Sequence, residues 1–349
     1  MPIEWNDVKR VLIVKLRSIG DTVLATPSLI ALRKFAPHVE IEILLEDWVA
    51  PLLVGFECVD RVIPVGSGTA ARIRTAWELN RRNYDAVFNL HGGTTATFFT
   101  AATRARHRIG FAKYQYGFLY TDLLSSASDF WGKEFTHSAE QQLALLGHTG
   151  VPVHDRPGTH LSVTAEAKAS IDAQLADTQG EIALLHPATA FATKQWAATK
   201  YARVAEHLAS QGFTVATVAS AGEKGVLDEV MRESRAPIKA FWSLALPEIT
   251  ALAARSAIFV GNDSGIAHIA AAVGTPTVVI FGSSNRRHWH PWTQAPNEMV
   301  FNEMPCQPCS GYRCQVFGEP KCILEIDAEQ VTSAIDRVLN EKRRALMPA

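Results

Sequence analysis

The sequence predicts an α/β fold made of two doubly wound parallel-sheet domains that face a central cleft. The chain has 349 residues, which is too long for one ordinary unit of this kind and sufficient for two. Short β-branched runs alternate with amphipathic helical stretches, which is typical of parallel α/β sheets. The segment VPVHDRPGTH, rich in proline and turn-forming residues, separates the two halves. We therefore expect domains over residues 1–163 and 164–326, and a C-terminal helix over 327–349.

Each half contains a series of short apolar runs that we interpret as strands. In the first half these runs cover residues 11–16, 40–45, 59–64, 86–90 and 106–110. In the second half they cover residues 182–185, 214–218, 257–261 and 277–281. Residues 327–346 are predicted to form one helix, because Val331, Ile335, Val338 and Leu339 recur at helical spacing. We expect that apolar stripe to pack on a domain surface.

The composition excludes several classes of protein. Hydrophobic residues make up 47% of the chain and charged residues 20%, so it can bury substantial cores and is not disordered. The formal net charge of -1 argues against broad nucleic-acid binding, which needs a basic surface. No apolar run approaches the roughly 20 residues needed to cross a bilayer, and the N-terminus lacks the basic start of a signal peptide. The sequence therefore predicts a cytoplasmic protein, with peripheral association at the inner membrane left open.

Ligands of open α/β sheets bind beyond the carboxyl ends of the strands, so candidate residues should follow strands. In the first half, Gly20 allows a tight turn after the first strand, and Asp21 stands at the mouth of the next helix. On spacing alone we favour Asp21 as a helix N-cap, which would stabilise the fold by about 1 kcal/mol. The alternative is a general base that takes a proton from a sugar hydroxyl.

In the second half, Thr189 and Lys194 occupy the loop that follows the strand 182–185, and Trp196 leads into a helix. A loop lysine is ordinarily solvated, but at this position it could neutralise a leaving diphosphate. Gly222 and Glu223 follow the strand 214–218 directly. Glu223 either complements a helix dipole or binds ribose hydroxyls, as the acid of dinucleotide sites does.

The most informative segment is AIFVGNDSGIAHIAAAVGTPTVVIFGSS. A buried strand runs into Asp263, Ser264 and Gly265, and a helix of small residues follows with His268 in its first turns. Exposed N–H groups at such a helix start can hold a diphosphate. Capping by Asp263 or Ser264 explains part of the pattern but not its glycines, which let a backbone approach a ligand closely. A lone histidine is more often a satisfied interior residue than a ligand, and the neighbouring glycines shift that balance toward ligand binding for His268.

Basic residues of the first half are candidates for binding an anionic acceptor. The densest cluster is Arg104, Arg106, His107 and Arg108, followed by Lys113. Most such runs are solvated faces. Arg108 and Lys113 flank a predicted strand end, and with Arg17 they form our acceptor-side candidates.

Taken together, these motifs resemble the heptosyltransferase family (glycosyltransferase family 9). Its members are metal-independent inverting glycosyltransferases of the GT-B fold, with two Rossmann-like domains. The resemblance covers residues 11–326 and rests on the GD of Gly20 and Asp21, the K-x-W of residues 194–196, Gly222-Glu223, and NDSGIAHIAAAVGTP.

The resemblance implies roles for the candidate residues. Asp21 would be the base and Lys194 would stabilise the departing ADP. Glu223 would hold the ribose, and the remaining donor-side candidates would bind the diphosphate and sugar: Thr189, Gly222, Asp263, Ser264, Gly265 and His268. It also implies ADP-heptose as donor, an anionic inner-core lipopolysaccharide acceptor, and no cofactor or catalytic metal.

Four of the five cysteines, Cys306, Cys309, Cys314 and Cys322, lie in one short stretch. We interpret them first as reduced structural thiols or a local disulfide. A structural zinc is the second interpretation, since two pairs of thiolates can hold Zn²⁺ tetrahedrally. The intervals between these cysteines are unlike those of ordinary zinc folds.

Other functions remain open at this level. One is a GT-B transferase with another nucleotide-sugar or acceptor, and a second is a nucleotide-sugar epimerase, which would need no acceptor. A nucleotide-binding protein with a degenerate site is less favoured, because Asp21, Lys194 and Glu223 are all present. The oligomeric state cannot be inferred from the sequence.

Overall fold

The structure, a computed structural model, describes residues 3–309 and 311–346, except the side chains of residues 221 and 346. The chain divides into two compact units, Met1–Ser162 and Val163–Ala349. Each unit contains one six-stranded sheet in which every pairing is parallel. No helix within the described ranges is both long enough and apolar enough to span a membrane.

The first unit contains a sheet with strand order β3-β2-β1-β4-β5-β6. Its strands are β1 (Arg10–Leu16), β2 (Glu40–Glu46), β3 (Arg61–Val65), β4 (Ala86–Asn89), β5 (His107–Phe111) and β6 (Asp122–Leu124). Its helices are α1 (Ile19–Val23), α2 (Thr26–Phe35), α3 (Thr69–Arg81), α4 (Gly93–Ala102), α5 (Ala127–Trp131) and α6 (Ser138–Gly147).

The second unit contains a sheet with strand order β12-β11-β10-β7-β8-β9. Its strands are β7 (Ile182–His186), β8 (Thr214–Val218), β9 (Ile238–Phe241), β10 (Ser256–Asn262), β11 (Thr277–Phe281) and β12 (Asn297–Phe301). Its helices are α7 (Ala165–Gln174), α8 (Ala198–Ser210), α9 (Lys224–Glu233), α10 (Leu246–Arg255), α11 (Gly265–Ala272), α12 (Arg286–Trp289), α13 (Lys321–Leu324) and α14 (Ala328–Leu346).

The central strands form because they are apolar on both faces, as parallel strands covered by helices must be. In β1 the run from Val11 to Val14 is fully buried, and it pairs with β2 on one side and β4 on the other. In β10 every residue is buried, and the strand lies between β7 and β11. These central strands agree with the predicted ones, which confirms the α/β fold class.

Both sheets have the order of a doubly wound fold, and each therefore has one point where the winding direction reverses. That point lies between β1 and β4 in the first unit and between β7 and β10 in the second. Loops diverge there beyond the carboxyl ends of the strands, leaving a crevice that binds ligands in folds of this class. The residues that follow these four strands are therefore the first place to look for a site.

Helix α14 (Ala328–Leu346) lies within the segment predicted as a C-terminal helix, of which residues 347–349 fall outside the described residues. Its apolar stripe does more than cover a surface, because Val331, Ile335 and Val338 are buried in the core cluster that also contains Trp196. The Trp196 indole N–H donates to the carbonyl of Ile326, just before α14, at 2.9 Å. The helix is therefore part of the core of the second unit.

Candidate active site

A buried lysine contacts both loops at the crevice of the first unit. Lys15 lies near the end of β1 and is only 3% exposed. Its ammonium lies 3.2 Å from Oδ1 of Asp21 and donates to the carbonyl of Leu90, after β4, at 3.1 Å. One cation thus connects the two loops that diverge at this point of the sheet.

Asp21 is not the N-cap of α1. The helix begins at Ile19 with Ser18 in the cap position, and no side chain caps it. Each oxygen of the Asp21 carboxylate instead accepts from a side chain, Oδ1 from Lys15 and Oδ2 from the Ser18 hydroxyl at 3.0 Å. The capping interpretation is therefore wrong. The side chain remains 31% exposed, so a ligand can reach it.

The charges around Asp21 keep its carboxylate ionised. Burial alone would raise its pKa, but the Lys15 ammonium, the Ser18 hydrogen bond and His91 together lower the pKa below its ordinary value. Burial and the positive charge of Lys15 lower the pKa of His91. An ionised, partly exposed carboxylate at this position can accept a proton from a hydroxyl group.

In the second unit, residues from three loops meet beyond β7, β10 and β11. The Lys194 ammonium lies 2.7 Å from Oδ2 of Asp263, and the Ser284 hydroxyl donates to the same oxygen at 2.5 Å. Asp263 is buried, whereas Lys194 keeps 21% of its side chain exposed above the Phe191 ring. The carboxylate therefore holds a lysine whose side chain is still partly exposed.

The start of α11 lies directly beside this ion pair. Ser264 is the N-cap, yet its side chain makes no capping bond, and its buried hydroxyl has no hydrogen-bond partner among the described residues. Gly265 opens the helix, and the first N–H groups of a helix lack intrahelical partners. The hydroxyl, the helix start and the Lys194 cation together can bind an anion. His268 is buried on the same helix.

Glu223 has a local structural partner. Its Oε2 accepts from the backbone N–H and the hydroxyl of Ser220, at 2.7 and 2.8 Å, in a capping box around a single 3₁₀ turn. This local role differs from the predicted helix-dipole effect. Gly222 beside it has open space, with nothing nearer than 4.0 Å to an added Cβ. Thr189 lies half-buried in the loop after β7.

One glycine of the motif is required by packing. A Cβ on Gly261 would lie 2.7 Å from the carbonyl of His186 and 2.8 Å from the Phe259 ring. The pairing of β10 with β7 brings this carbonyl against Gly261. Packing therefore accounts for the glycine at position 261 without a ligand.

The three acceptor-side candidates differ in exposure and in hydrogen bonding. Arg17 is exposed in the loop between β1 and α1, four residues before Asp21. Arg108 donates to two backbone carbonyls, those of Leu119 and Ala105, at 2.7 and 2.6 Å. Its guanidinium therefore stabilises the local backbone. Lys113 is exposed, with its ammonium over the Phe111 ring.

The four late cysteines line a single small pocket together with Thr193 and Ser283. All four are free thiols. Burial raises the pKa of Cys322 to about 11, and the three neighbouring cysteines add to this effect. Within the described ranges no three metal-ligating side chains are arranged to hold a metal ion. Structural zinc remains a prediction, which metal analysis of protein purified without added zinc would test.

Sequence reasoning missed Lys15, His91 and Ser284. Lys15 could have been found from the sequence, because it lies inside the apolar run VLIVKL and a buried cation needs a partner. His91 follows β4 and Ser284 follows β11, and both positions are ones where polar residues of α/β sheets serve ligands. Ser283 and Ser284 look in sequence like ordinary turn residues.

The chain is similar to known proteins along nearly its whole length. It is 26% identical over 350 residues to "Lipopolysaccharide heptosyltransferase 3" of Escherichia coli K12, covering 93% of this chain and 97% of that protein. Two solved structures share its fold. A glycosyl transferase family 9 protein from Veillonella parvula has TM-score 0.84 and 21% identity, covering 97% and 99% of the two chains. Escherichia coli ADP-heptose lps heptosyltransferase II has TM-score 0.81 and 19% identity, covering 96% and 99%.

These structural neighbours establish the GT-B fold with Rossmann-like sheets. The sequence pattern described as "Glycosyltransferase family 9 (heptosyltransferase)" matches residues 72–318, which is most of the chain. The matched residues include Lys194, Glu223 and the segment from Asp263 to His268. The chain therefore belongs to glycosyltransferase family 9, the heptosyltransferases.

Proposed function

We propose that this enzyme transfers heptose from ADP-heptose to an inner-core lipopolysaccharide acceptor with inversion at the anomeric carbon. The names of its relatives, lipopolysaccharide and lipooligosaccharide heptosyltransferases, support the acceptor class. The name of the Escherichia coli ADP-heptose lps heptosyltransferase II supports the donor. The observation that carries the proposal is the group at the start of α11, where the Lys194–Asp263 ion pair lies beside the unpartnered hydroxyl of Ser264. A cation and free donors at a helix start are what a nucleotide diphosphate requires.

The donor-side residues then have separate tasks. The backbone at Gly265 and the Ser264 hydroxyl bind the diphosphate, and Lys194 stabilises the negative charge that grows on it as the glycosidic bond breaks. Asp263 holds Lys194 in place and, by pairing with it, avoids facing the phosphates as an isolated anion. Glu223 keeps its Oε1 for the ribose while Oε2 is bound to Ser220. Thr189, Gly222 and His268 complete the donor site.

Asp21 is the general base on the acceptor side. Its ionised carboxylate takes the proton of the acceptor hydroxyl as that oxygen bonds to the anomeric carbon, on the face opposite the departing ADP. Attack from that face inverts the configuration. The transition state has oxocarbenium character, so the proton transfer need not run ahead of bond breaking. No metal is needed in these steps, because Lys194 and the helix start carry the phosphate charge.

Binding of an anionic glycolipid acceptor requires positive charge near Asp21. Arg17 and Lys113 are exposed and available for this, whereas Arg108 is bound to backbone carbonyls. Because such an acceptor is anchored in a membrane, the enzyme works as a peripheral protein at the membrane surface.

The test compares the variant Asp21→Asn with Asp155→Asn, a change at an exposed carboxylate of the same unit paired with Lys34. We expect Asp21→Asn to lose on the order of 100-fold or more in transfer rate while its affinity for ADP stays unchanged. The Asp155 variant should transfer at the normal rate. Normal turnover by Asp21→Asn would remove the base from the mechanism.

Donor identity and stereochemistry need their own measurements. A thermal-shift series with ADP, UDP and GDP should show the largest stabilisation with ADP, and a preference for UDP would overturn the heptose donor while sparing the fold. The anomeric configuration of the product, read by NMR, should be opposite to that of ADP-heptose. Retention of configuration would contradict direct attack by the acceptor.

A further inference from the structure

Helix α3 presents an exposed face that contributes nothing to the site described above. Ile73 and Trp77 are 59% and 60% exposed. They stand four residues apart, so they lie on the same side of the helix, one turn from each other. The opposite side carries Thr75, Ala76 and Leu79, which are buried against the unit. The helix is therefore anchored by one face and leaves an isoleucine and a tryptophan in solvent on the other.

Two arginines lie on the same side of α3 as Trp77, because Arg74 stands three residues before it and Arg81 four residues after it. Arg72, Arg74 and Arg81 are all exposed on α3, against one acidic residue, Glu78. The guanidinium of Arg81 lies 4.5 Å from the centre of the Trp77 ring. We call Ile73, Arg74, Trp77 and Arg81 the α3 surface. In a chain with a net charge of -1, this surplus of positive charge is a local feature.

The basic cluster after α4 extends this charge. The Asn80 side chain donates to the carbonyl of Ala102 at 2.9 Å, which holds the end of α3 beside the end of α4. Arg104 and Arg106 follow directly and are exposed. The cluster that the sequence singled out is thus attached to the same region as the α3 surface.

We infer that the α3 surface docks the enzyme on a bilayer containing anionic phospholipids, with Ile73 and Trp77 entering the headgroup region and the arginines contacting lipid phosphates. Helices that lie in a membrane interface combine a basic side with a few aromatic or aliphatic residues. Tryptophan favours the interface because its ring is apolar and its N–H is polar. Each arginine near an anionic leaflet adds about 1 kcal/mol of attraction.

The two components of this surface fit a lipid bilayer better than another protein. The apolar part is two side chains wide, and an apolar contact of that size is too small for a stable protein interface. The charge complements any anionic lipid and needs no matching shape. The inference concerns the phospholipid surface itself, so vesicle binding can succeed or fail independently of the proposed transfer reaction.

The experiment measures co-sedimentation of the full chain with vesicles of phosphatidylcholine alone or with added phosphatidylglycerol. Binding should require phosphatidylglycerol and weaken at high salt, because charges outside the protein are screened. Replacing the two arginines of this surface, as in Arg74→Gln with Arg81→Gln, should lower the bound-to-free ratio on the order of tenfold or more. Equal binding to both kinds of vesicle would overturn the charge-based docking.

A second pair of variants isolates the apolar contribution. Ile73→Ser with Trp77→Ser should also lower the bound-to-free ratio by about tenfold or more. The matched control is Trp48→Ser with Val54→Ser, which changes two apolar residues of the same unit outside α3 that are each 51% exposed. Unchanged binding by the Ile73 and Trp77 pair, or an equal loss in the control pair, would overturn the insertion of these side chains.

A spectroscopic measurement keeps the test independent of folding effects. Vesicles with brominated phosphatidylglycerol quench tryptophans that enter the bilayer, and the variant Trp77→Phe removes one candidate while keeping an aromatic ring. We expect the unsubstituted chain to be quenched more than Trp77→Phe. Equal quenching of the two would place Trp77 outside the bilayer and overturn the inference. The far-UV circular dichroism spectrum and the unfolding midpoint of each variant check that the first unit is folded.

Discussion

The ammonium of Lys15 lies between the Asp21 carboxylate and the Leu90 carbonyl, at 3.2 and 3.1 Å. A lysine buried inside a central strand is costly unless its charge is paired and its donors are satisfied. Here that pairing places the Lys15 ammonium against the carboxylate of Asp21, the proposed base. The position and the charge state of Asp21 therefore depend on a residue that a ligand need not touch.

Replacement of Lys15 should change the pH dependence of transfer. In Lys15→Met the cation that lowers the pKa of Asp21 is lost, so burial dominates and that pKa rises. The base is active only when ionised, and the acid limb of kcat/KM should therefore move to higher pH. Lys34→Met, a change at an exposed lysine, is the control and should leave the profile unchanged. An unshifted acid limb in Lys15→Met would show that Lys15 has only a structural role.

Loss of Lys194 should affect catalysis more than binding. Lys194→Ala removes the charge that stabilises the departing diphosphate, and we expect kcat to fall by about 100-fold to 1,000-fold. Lys168→Ala, at an exposed pair on α7, should behave like the unsubstituted enzyme. Steady-state kinetics with saturating donor would check this. A rise in KM with unchanged kcat would mean that Lys194 binds the ground state and the transition state equally.

Ser264→Ala should have opposite effects on stability and on donor binding. The hydroxyl is buried without a partner among the residues that the structure describes, so its removal relieves an unsatisfied polar group and should stabilise the free protein by about 1 kcal/mol. The same change deletes a donor to the diphosphate, and ADP affinity should fall about fivefold to tenfold. Denaturant unfolding and calorimetric titration measure the two quantities. In the control, Ser283→Ala breaks a bond to Thr193 and should only destabilise.

Two glycines near the donor site should respond differently to alanine. Gly261→Ala places a methyl group against the His186 carbonyl and the Phe259 ring, and this overpacking should cost about 1–3 kcal/mol in the free energy of unfolding. Gly222→Ala meets open space and should leave stability unchanged. Thermal unfolding compares the two. Equal losses of stability would contradict the packing explanation for Gly261.

The accuracy of the sequence prediction depended on the position of a strand in its sheet. Central strands such as β8 and β11 were predicted to the residue, because burial on both faces produces continuous apolar runs. The strands that were missed, β6, β9 and β12, all lie at sheet edges, where residues are partly exposed and the apolar run is broken. The fourth edge strand, β3, was predicted two residues early at its start.

The residues of the candidate site could be predicted only where a local sequence pattern marks them. Asp21, Lys194 and Asp263 follow strands, so the sheet topology alone makes them candidates. Their partners are distant in the chain or outside any motif. The pairing of Lys194 with Asp263, 69 residues apart, and the contact of Ser284 with the same carboxylate arise only when three strands lie side by side.

The burial of the α14 stripe limits how this chain can be shortened. The family pattern ends at residue 318, before α14 begins, and it starts at residue 72, after β3. A fragment cut at these limits would lose half the strands of the first sheet and would open the interior of the second unit around Trp196. The segment that the family pattern matches is therefore shorter than the segment that must be expressed for the protein to fold. Fusions at the C-terminal end should leave residues 331–339 intact.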